Sequence, residues 1–166
     1  MFTTVEHFEK AFLNEAEGTQ KIMDALTDDS LLQPVADGHW NLGRTAWHIV
    51  GAYSEVMSRT GLEFSTAKDD VPVPKSAEGI KTEYAKATKE LLEQVKTGWD
   101  DATLQTEDDM YGEKWKRGTT LAILLNHEVH HRGQMTVLMR QAGLRVPGVY
   151  GPAKEDWAQY NMQPPE

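Results

Sequence analysis

The chain has 166 residues, a length that suits one domain with its own hydrophobic core. Its formal charge of −9 and scattered basic residues, densest at Lys114-Trp115-Lys116-Arg117, argue against a nucleic-acid partner. It contains no cysteine, which excludes disulfides and thiolate ligands, so a metal would need nitrogen and oxygen donors and any thiol chemistry an external thiol.

Four helices emerge from hydrophobic periodicity. The first is predicted from about Thr4 to Leu26, with Thr3 and Glu6 at capping-box spacing and Val5, Phe8, Phe12, Ile22 and Leu26 at helical intervals. It ends in the Asp28-Asp29-Ser30 turn. The second begins at Asn41 as N-cap and runs through Thr45, His48, Ala52 and Glu55 to a Gly61 stop. The third, capped by Ser76, carries the stripe Ile80, Tyr84, Ala87, Leu91, Val95 and Trp99. The fourth starts after Gly118 and reaches about Ala142, with Gly143 as its stop.

No pair of runs alternates with period two across a hairpin signal, so 62–75 and 100–117 read as long loops. After Gly143 come Pro147-Gly148 and Gly151-Pro152, then a short helical segment over 153–160. The expected fold is all-α: a four-helix bundle with a long helix 2–helix 3 crossover and a short C-terminal helical tail, one domain over 1–166. The N-terminus lacks a signal-peptide pattern and no segment reaches transmembrane length, so a cytoplasmic protein without a membrane partner is expected.

The chemistry-bearing segment is His127-Glu128-Val129-His130-His131-Arg132-Gly133-Gln134. His127 and His131 lie one turn apart on the line Leu121, Leu124, His127, His131, Met135, Leu138, Ala142, where they interrupt an apolar, inward-facing stripe. Burying two imidazoles without partners costs roughly 1–3 kcal/mol per unsatisfied group, and a shared metal removes that cost. Two separately hydrogen-bonded core histidines are the alternative. His48, midway along the second helix, becomes a candidate third ligand only through this pair. His130 lies about 100° off the pair's line; it could replace His127 or His131, but reads more readily as hydrogen-bonding at the edge of the site or lying at a subunit contact. Glu128 points away from that line and reads more readily as a surface charge than as an outer partner of the site. His7 and His39 are isolated and read as solvated.

Among other residues, Arg44, Thr45 and Gln134 lie about one turn from the candidate histidines, where each could orient a substrate or a ligand's second nitrogen. Arg132 reads as an outer-face salt bridge and Gly133 as a close helix–helix approach. Trp40, Trp47 and Trp115 are candidates for a pocket mouth, with Trp47 better suited to the core. Met57, Met135 and Met139 read as packing.

His127-Glu128-x-x-His131 also matches the H-E-x-x-H zinc-peptidase pattern, with Glu128 as general base and Glu155 as a conceivable third ligand. The metzincin continuation fails, because Gly133 falls one residue early, and there is no strand pattern to bind an extended peptide.

The run from His127 to Gln134 resembles the H-x-x-x-H-R-G-Q signature of the DinB/YfiT-like metalloenzyme family. Trp40-Asn41-Leu42-Gly43-Arg44-Thr45-Ala46-Trp47-His48-Ile49-Val50 is similar to that family's second-helix motif, and VPGVYGPAKEDW (146–157) to its tail. The resemblance implies a four-helix bundle with one divalent metal on His48, His127 and His131, and coordination positions left open for chemistry. Zinc is the default for three histidines, with nickel, iron, cobalt and manganese also compatible. It further implies a small-molecule substrate, a low-molecular-weight thiol among the candidates, and a homodimer. The expected function is a metal-dependent enzyme of the thiol S-transferase type, in which the metal activates a thiol or water. A non-catalytic metal-binding bundle is the alternative, and an H-E-x-x-H hydrolase ranks below both.

Overall fold

The computed structural model describes residues 1–68 and 70–165. Position 69 of the expected 62–75 loop and position 166 of the expected domain lie outside the described residues. Four α-helices dominate: α1 (Val5–Asp24), α2 (Leu42–Met57), α3 (Ala77–Gly98) and α4 (Arg117–Gln141). This is the expected helical bundle. α1 and α2 each pack against both α3 and α4. Of the consecutive pairs only α2 and α3 pack closely among the described residues, while α1 and α2 lie apart, as do α3 and α4, and the links 25–41 and 62–75 are long.

Local sequence sets the helix starts. The Asn41 side chain accepts from Arg44 N at 2.8 Å, and Ser76 Oγ accepts from Gly79 N, so both expected caps form. At α1 the cap is Thr4, whose hydroxyl accepts from His7 N, and not the Thr3 pairing read from the sequence. A 3-10 turn, Ser58–Thr60, carries α2 on to Gly61, which takes φ 85° as a stop residue should. α4 begins one residue before Gly118. A Cβ on that glycine would lie 2.0 Å from the Phe2 carbonyl oxygen, because the N-terminal segment crosses directly over it. The α3 stripe Ile80, Tyr84, Ala87, Leu91 and Val95 is fully buried. Met57, Met135 and Met139 are buried packing residues, as expected.

One element corrects the sequence reading. Within the segment expected to be loop, β1 (Glu107–Met110) and β2 (Glu113–Lys116) form an antiparallel hairpin. Its strands are charged and poor in β-branched residues, so no apolar alternation marks them. Register supplies what composition does not: Glu107 faces Lys116 and Asp109 faces Lys114 across the ladder. Tyr111 (φ 60°) and Gly112 (φ 87°) form the two-residue turn, with positive φ at both positions as type I′ hairpins require. At the hairpin base, Arg117 Nε donates to Asp108 Oδ2 at 2.9 Å and its guanidinium lies over Trp99. The tail beyond α4 ends in a 3-10 helix, Lys154–Tyr160, matching the short helical segment expected there.

Candidate metal centre

Three imidazoles meet between α2 and α4. His48 Nε2 lies 3.1 Å from His127 Nε2, which lies 3.1 Å from His131 Nε2. All three rings are half-buried, and one nitrogen from each falls within 4.8 Å of the others. His127 and His131 come together because they are one helical turn apart. His48 comes to them only because α2 packs along α4.

The donor set fits a cation better than it fits hydrogen bonding. Each Nε2 offers either one proton or one lone pair. A proton on His127 Nε2 serves one of its two contacts well and leaves the other poorly matched. A metal takes a lone pair from each ring. Zinc–imidazole bonds of about 2.0–2.1 Å place tetrahedral nitrogens roughly 3.3–3.4 Å apart, close to the separations here.

Surrounding groups orient the rings. His131 Nδ1 is 2.8 Å from Gln134 Oε1, and an amide oxygen only accepts, so Nδ1 carries the proton and Nε2 presents its lone pair to the cluster. Gln134 Nε2 in turn donates to His130 Nε2 at 3.1 Å. His130 is exposed and belongs to the edge of the site, one hydrogen bond behind a candidate ligand. Trp40 stacks on His131 and meets His48 edge-on, with the Arg44 guanidinium 4.7 Å from its ring centre. Trp47 is a core residue, its indole N–H donating to Val71 O. Thr45 is buried and bonded to Asn41 O.

Two cavities share the cluster. One, of about 550 Å³, is lined by Val35, His39, Trp40, His131, Gln134 and Gln141. The other, of about 440 Å³, lies against His48 and His127 and is walled by Ala52, Val56, Leu124 and the hairpin residues Tyr111 and Trp115, with Glu55 among its lining. Sequence reasoning missed Tyr111, Glu55 and the cavity position of His39. For Tyr111 the available signal was the Tyr-Gly pair between two short charged runs.

The inward face of α4 differs from the expected one. Its buried row is Leu121, Leu124, Glu128, Arg132, Met135 and Leu138, and the histidines sit on its flank. Glu128, read as a surface charge, is 1% exposed. Its carboxylate accepts hydrogen bonds from the Tyr53 hydroxyl and, at 2.6 Å, from Tyr84. Burial, reinforced by the adjacent carboxylate charge, pushes both phenols well above their ordinary pKa, so they remain donors. Arg132, expected on the outer face, is buried and binds Glu15 Oε2 at 2.7 Å and Thr19 Oγ1 at 3.1 Å. Gly133 makes no close approach, since a Cβ there would meet nothing within 4 Å. Glu155 forms a bidentate pair with Arg140. With Glu128 turned into the core and Glu155 so engaged, the peptidase assignment of base and third ligand has no geometric support.

Comparison with known proteins shows the family. The family model described as the DinB family matches residues 1–165. The uncharacterized protein YrdA of Bacillus subtilis strain 168 is 47% identical over 166 residues, covering all of this chain and 99% of YrdA. The crystal structure of a DinB-like protein from Bacillus cereus ATCC 10987 is 49% identical, with a TM-score of 0.88 over 90% of this chain and 100% of the other. YfiT from Bacillus subtilis, described as a probable metal-dependent hydrolase with an unusual four-helix bundle topology, shares the fold at 15% identity. Its TM-score is 0.61, over 85% of this chain and 89% of YfiT. Three half-buried imidazoles at the meeting of α2 and α4, framed by both sequence motifs, thus belong to a chain that is a member of the DinB family.

Proposed function

We propose that this chain acts as one domain and is a metal-dependent enzyme acting on a small molecule, with one divalent metal, zinc first, held by His48, His127 and His131. The observation that carries this reading is the convergence of three Nε2 atoms at 3.1 Å contacts beside two cavities. When bound, the metal supplies Lewis acidity that lowers the pKa of a thiol or water near it. Three protein ligands leave room for such a group, as catalytic sites do.

Thiol S-transfer is the specific reaction we assign. It joins two reactants, and the cluster borders two cavities. In that reaction sulfur bonds to an electrophilic carbon, the leaving group departs with its electron pair, and the thiol proton is released. The chain has no cysteine, so the thiol is an external small molecule. The protein's own residues hold and orient: Gln134 fixes the His131 tautomer, while Trp40 and the hairpin rings wall the cavities beside the cluster. Water as nucleophile at the same centre would give hydrolysis, the activity with which YfiT is described. A homodimer and a cytoplasmic location belong to this reading. Among the described residues no helix is long and apolar enough to cross a membrane.

Elemental analysis of purified protein beside His48→Ala and His131→Ala tests the centre. One metal per chain in the parent and loss in both variants is expected; full retention by His48→Ala overturns the three-histidine assignment. A turnover screen of metal-loaded protein with several thiols and electrophiles tests the reaction. Thiol-independent hydrolysis would favour the hydrolase reading, and no acceleration under any condition a non-catalytic metal site.

A further inference from the structure

The cavity beneath the hairpin has a composition that selects what enters it. Its walls are Ala52, Val56, Ile123 and Leu124 with the rings of Tyr111 and Trp115, and one end is formed by His48 and His127. Glu55 supplies the carboxylate, and among the described residues no lysine or arginine lines the cavity itself, although Arg59 is paired with Glu55 beside it. Its volume of about 440 Å³ falls within the roughly 300–1,000 Å³ of small-molecule sites.

The roof is latched in place. Tyr111 Oη donates to Glu55 Oε2 at 2.6 Å, and Arg59 pairs with Glu55 Oε1 at 3.0 Å while lying over the Tyr111 ring at 4.3 Å. Tyr111 does this from a left-handed backbone position that Asn, Asp or Gly fills at lower cost. That cost, with the ring directed onto α2, indicates that the tyrosine is kept for the latch. An ionised carboxylate accepts about four hydrogen bonds, and Glu55 already accepts three, from Arg59 Nε, Arg59 Nη2 and Tyr111 Oη, so one acceptor position remains for a further donor.

We propose that this cavity is the binding chamber for an aromatic or bulky apolar portion of a substrate, neutral or cationic and bearing a hydrogen-bond donor for Glu55, and that it disfavours anions. The inference rests on the metal-centre reading above, of which it would hold the electrophile. It can nonetheless be tested without metal.

Benzylamine, benzyl alcohol and benzoate present one ring with three charges. Each is titrated into chelator-treated protein at about pH 8, with the Trp115 indole N–H resonance, assigned by its absence in Trp115→Phe, as the readout. Benzylamine and benzyl alcohol should shift that resonance saturably, with benzoate severalfold weaker. Glu55→Gln should narrow the gap between benzylamine and benzoate, and Trp115→Ala, followed on remaining cavity resonances, should weaken the first two severalfold. Trp115→Leu repeats the test if the alanine variant folds poorly. Benzoate binding as tightly as benzylamine, no effect of Glu55→Gln on the gap, or unchanged affinity in the Trp115 variants overturns the proposal. Metal stoichiometry of the same variants is measured separately: parental metal content with failed probe binding rejects the chamber alone, whereas probe binding in a chain that takes up no metal rejects the centre alone.

Discussion

Two faces of α4, one residue apart, do opposite work. His127 and His131 look into cavities, half-buried and ringed by other polar or aromatic groups. Glu128 and Arg132, rotated by about 100°, enter the core and are satisfied there by Tyr53, Tyr84, Glu15 and Thr19. Net charge does not decide which face is inside. A charged side chain is buried where fixed partners meet each of its hydrogen-bonding groups, and it remains costly to disturb because those partners would be stranded. The histidines keep the adaptable, solvent-reachable face on which a ligand can exchange. Chemistry and anchoring are thus interleaved along one helix.

Substitutions that separate stability from metal binding would break this comparison. Glu128→Ala should have the largest effect on folding: it opens a cavity and removes the carboxylate acceptor of two buried phenols, for about 3 kcal/mol or more. At this chain length, that is a fall in Tm of roughly 6–12 °C, read by calorimetry. Metal stoichiometry should persist at temperatures where the variant is folded; its loss there would place Glu128 at the centre after all. His48→Ala should do the reverse, weakening metal affinity by more than the roughly 10- to 100-fold that an outer hydrogen-bonding partner contributes. Metal-free stability should move by less than about 1 kcal/mol, as the ring is half-buried.

Smaller effects sharpen the picture. Gln134→Ala releases the His131 tautomer and should lower metal affinity about tenfold in competition with a chromophoric chelator. Tyr84→Phe removes one donor to Glu128 and should cost roughly 1–2 kcal/mol in denaturant unfolding, with no change in metal content. Alkaline pH gives the mildest perturbation. The folded phenols of Tyr53 and Tyr84 hold their protons above the ordinary range, while unfolded tyrosines ionise near about pH 10. Their contribution is therefore complete below about pH 10 and is lost as pH rises beyond it, because the unfolded chain gives up those protons first. A Tyr53→Phe/Tyr84→Phe chain should show a flatter decline between about pH 9 and 11 in denaturant midpoints; an unchanged slope would remove these phenols as the cause.

Much of the fold was legible because helices declare themselves locally. Asn41 and Ser76 cap where capping chemistry places them, and the α3 stripe is buried as periodicity requires. The hairpin escaped notice because register and the Tyr111-Gly112 turn hold it, with charge pairs in place of apolar alternation. Glu128 and Arg132 were misplaced for a related reason. Composition marks a charged residue as exposed, and the groups that make its burial tolerable come from distant positions: residues 53 and 84 for one, 15 and 19 for the other. Gln134 was readable as an orienting neighbour because it shares a helical turn with His131.

By itself the sequence determined the helical bundle, the pairing of His127 with His131 and the exclusion of thiolate ligands, since each follows from spacing or composition within a few residues. Tertiary structure decided three things: that His48 reaches the same point, that Glu128 belongs to the core, and that a hairpin roofs one of the cavities. Each depends on contacts between segments tens of residues apart, and helical periodicity marks an apolar face without saying which residues of another helix meet it.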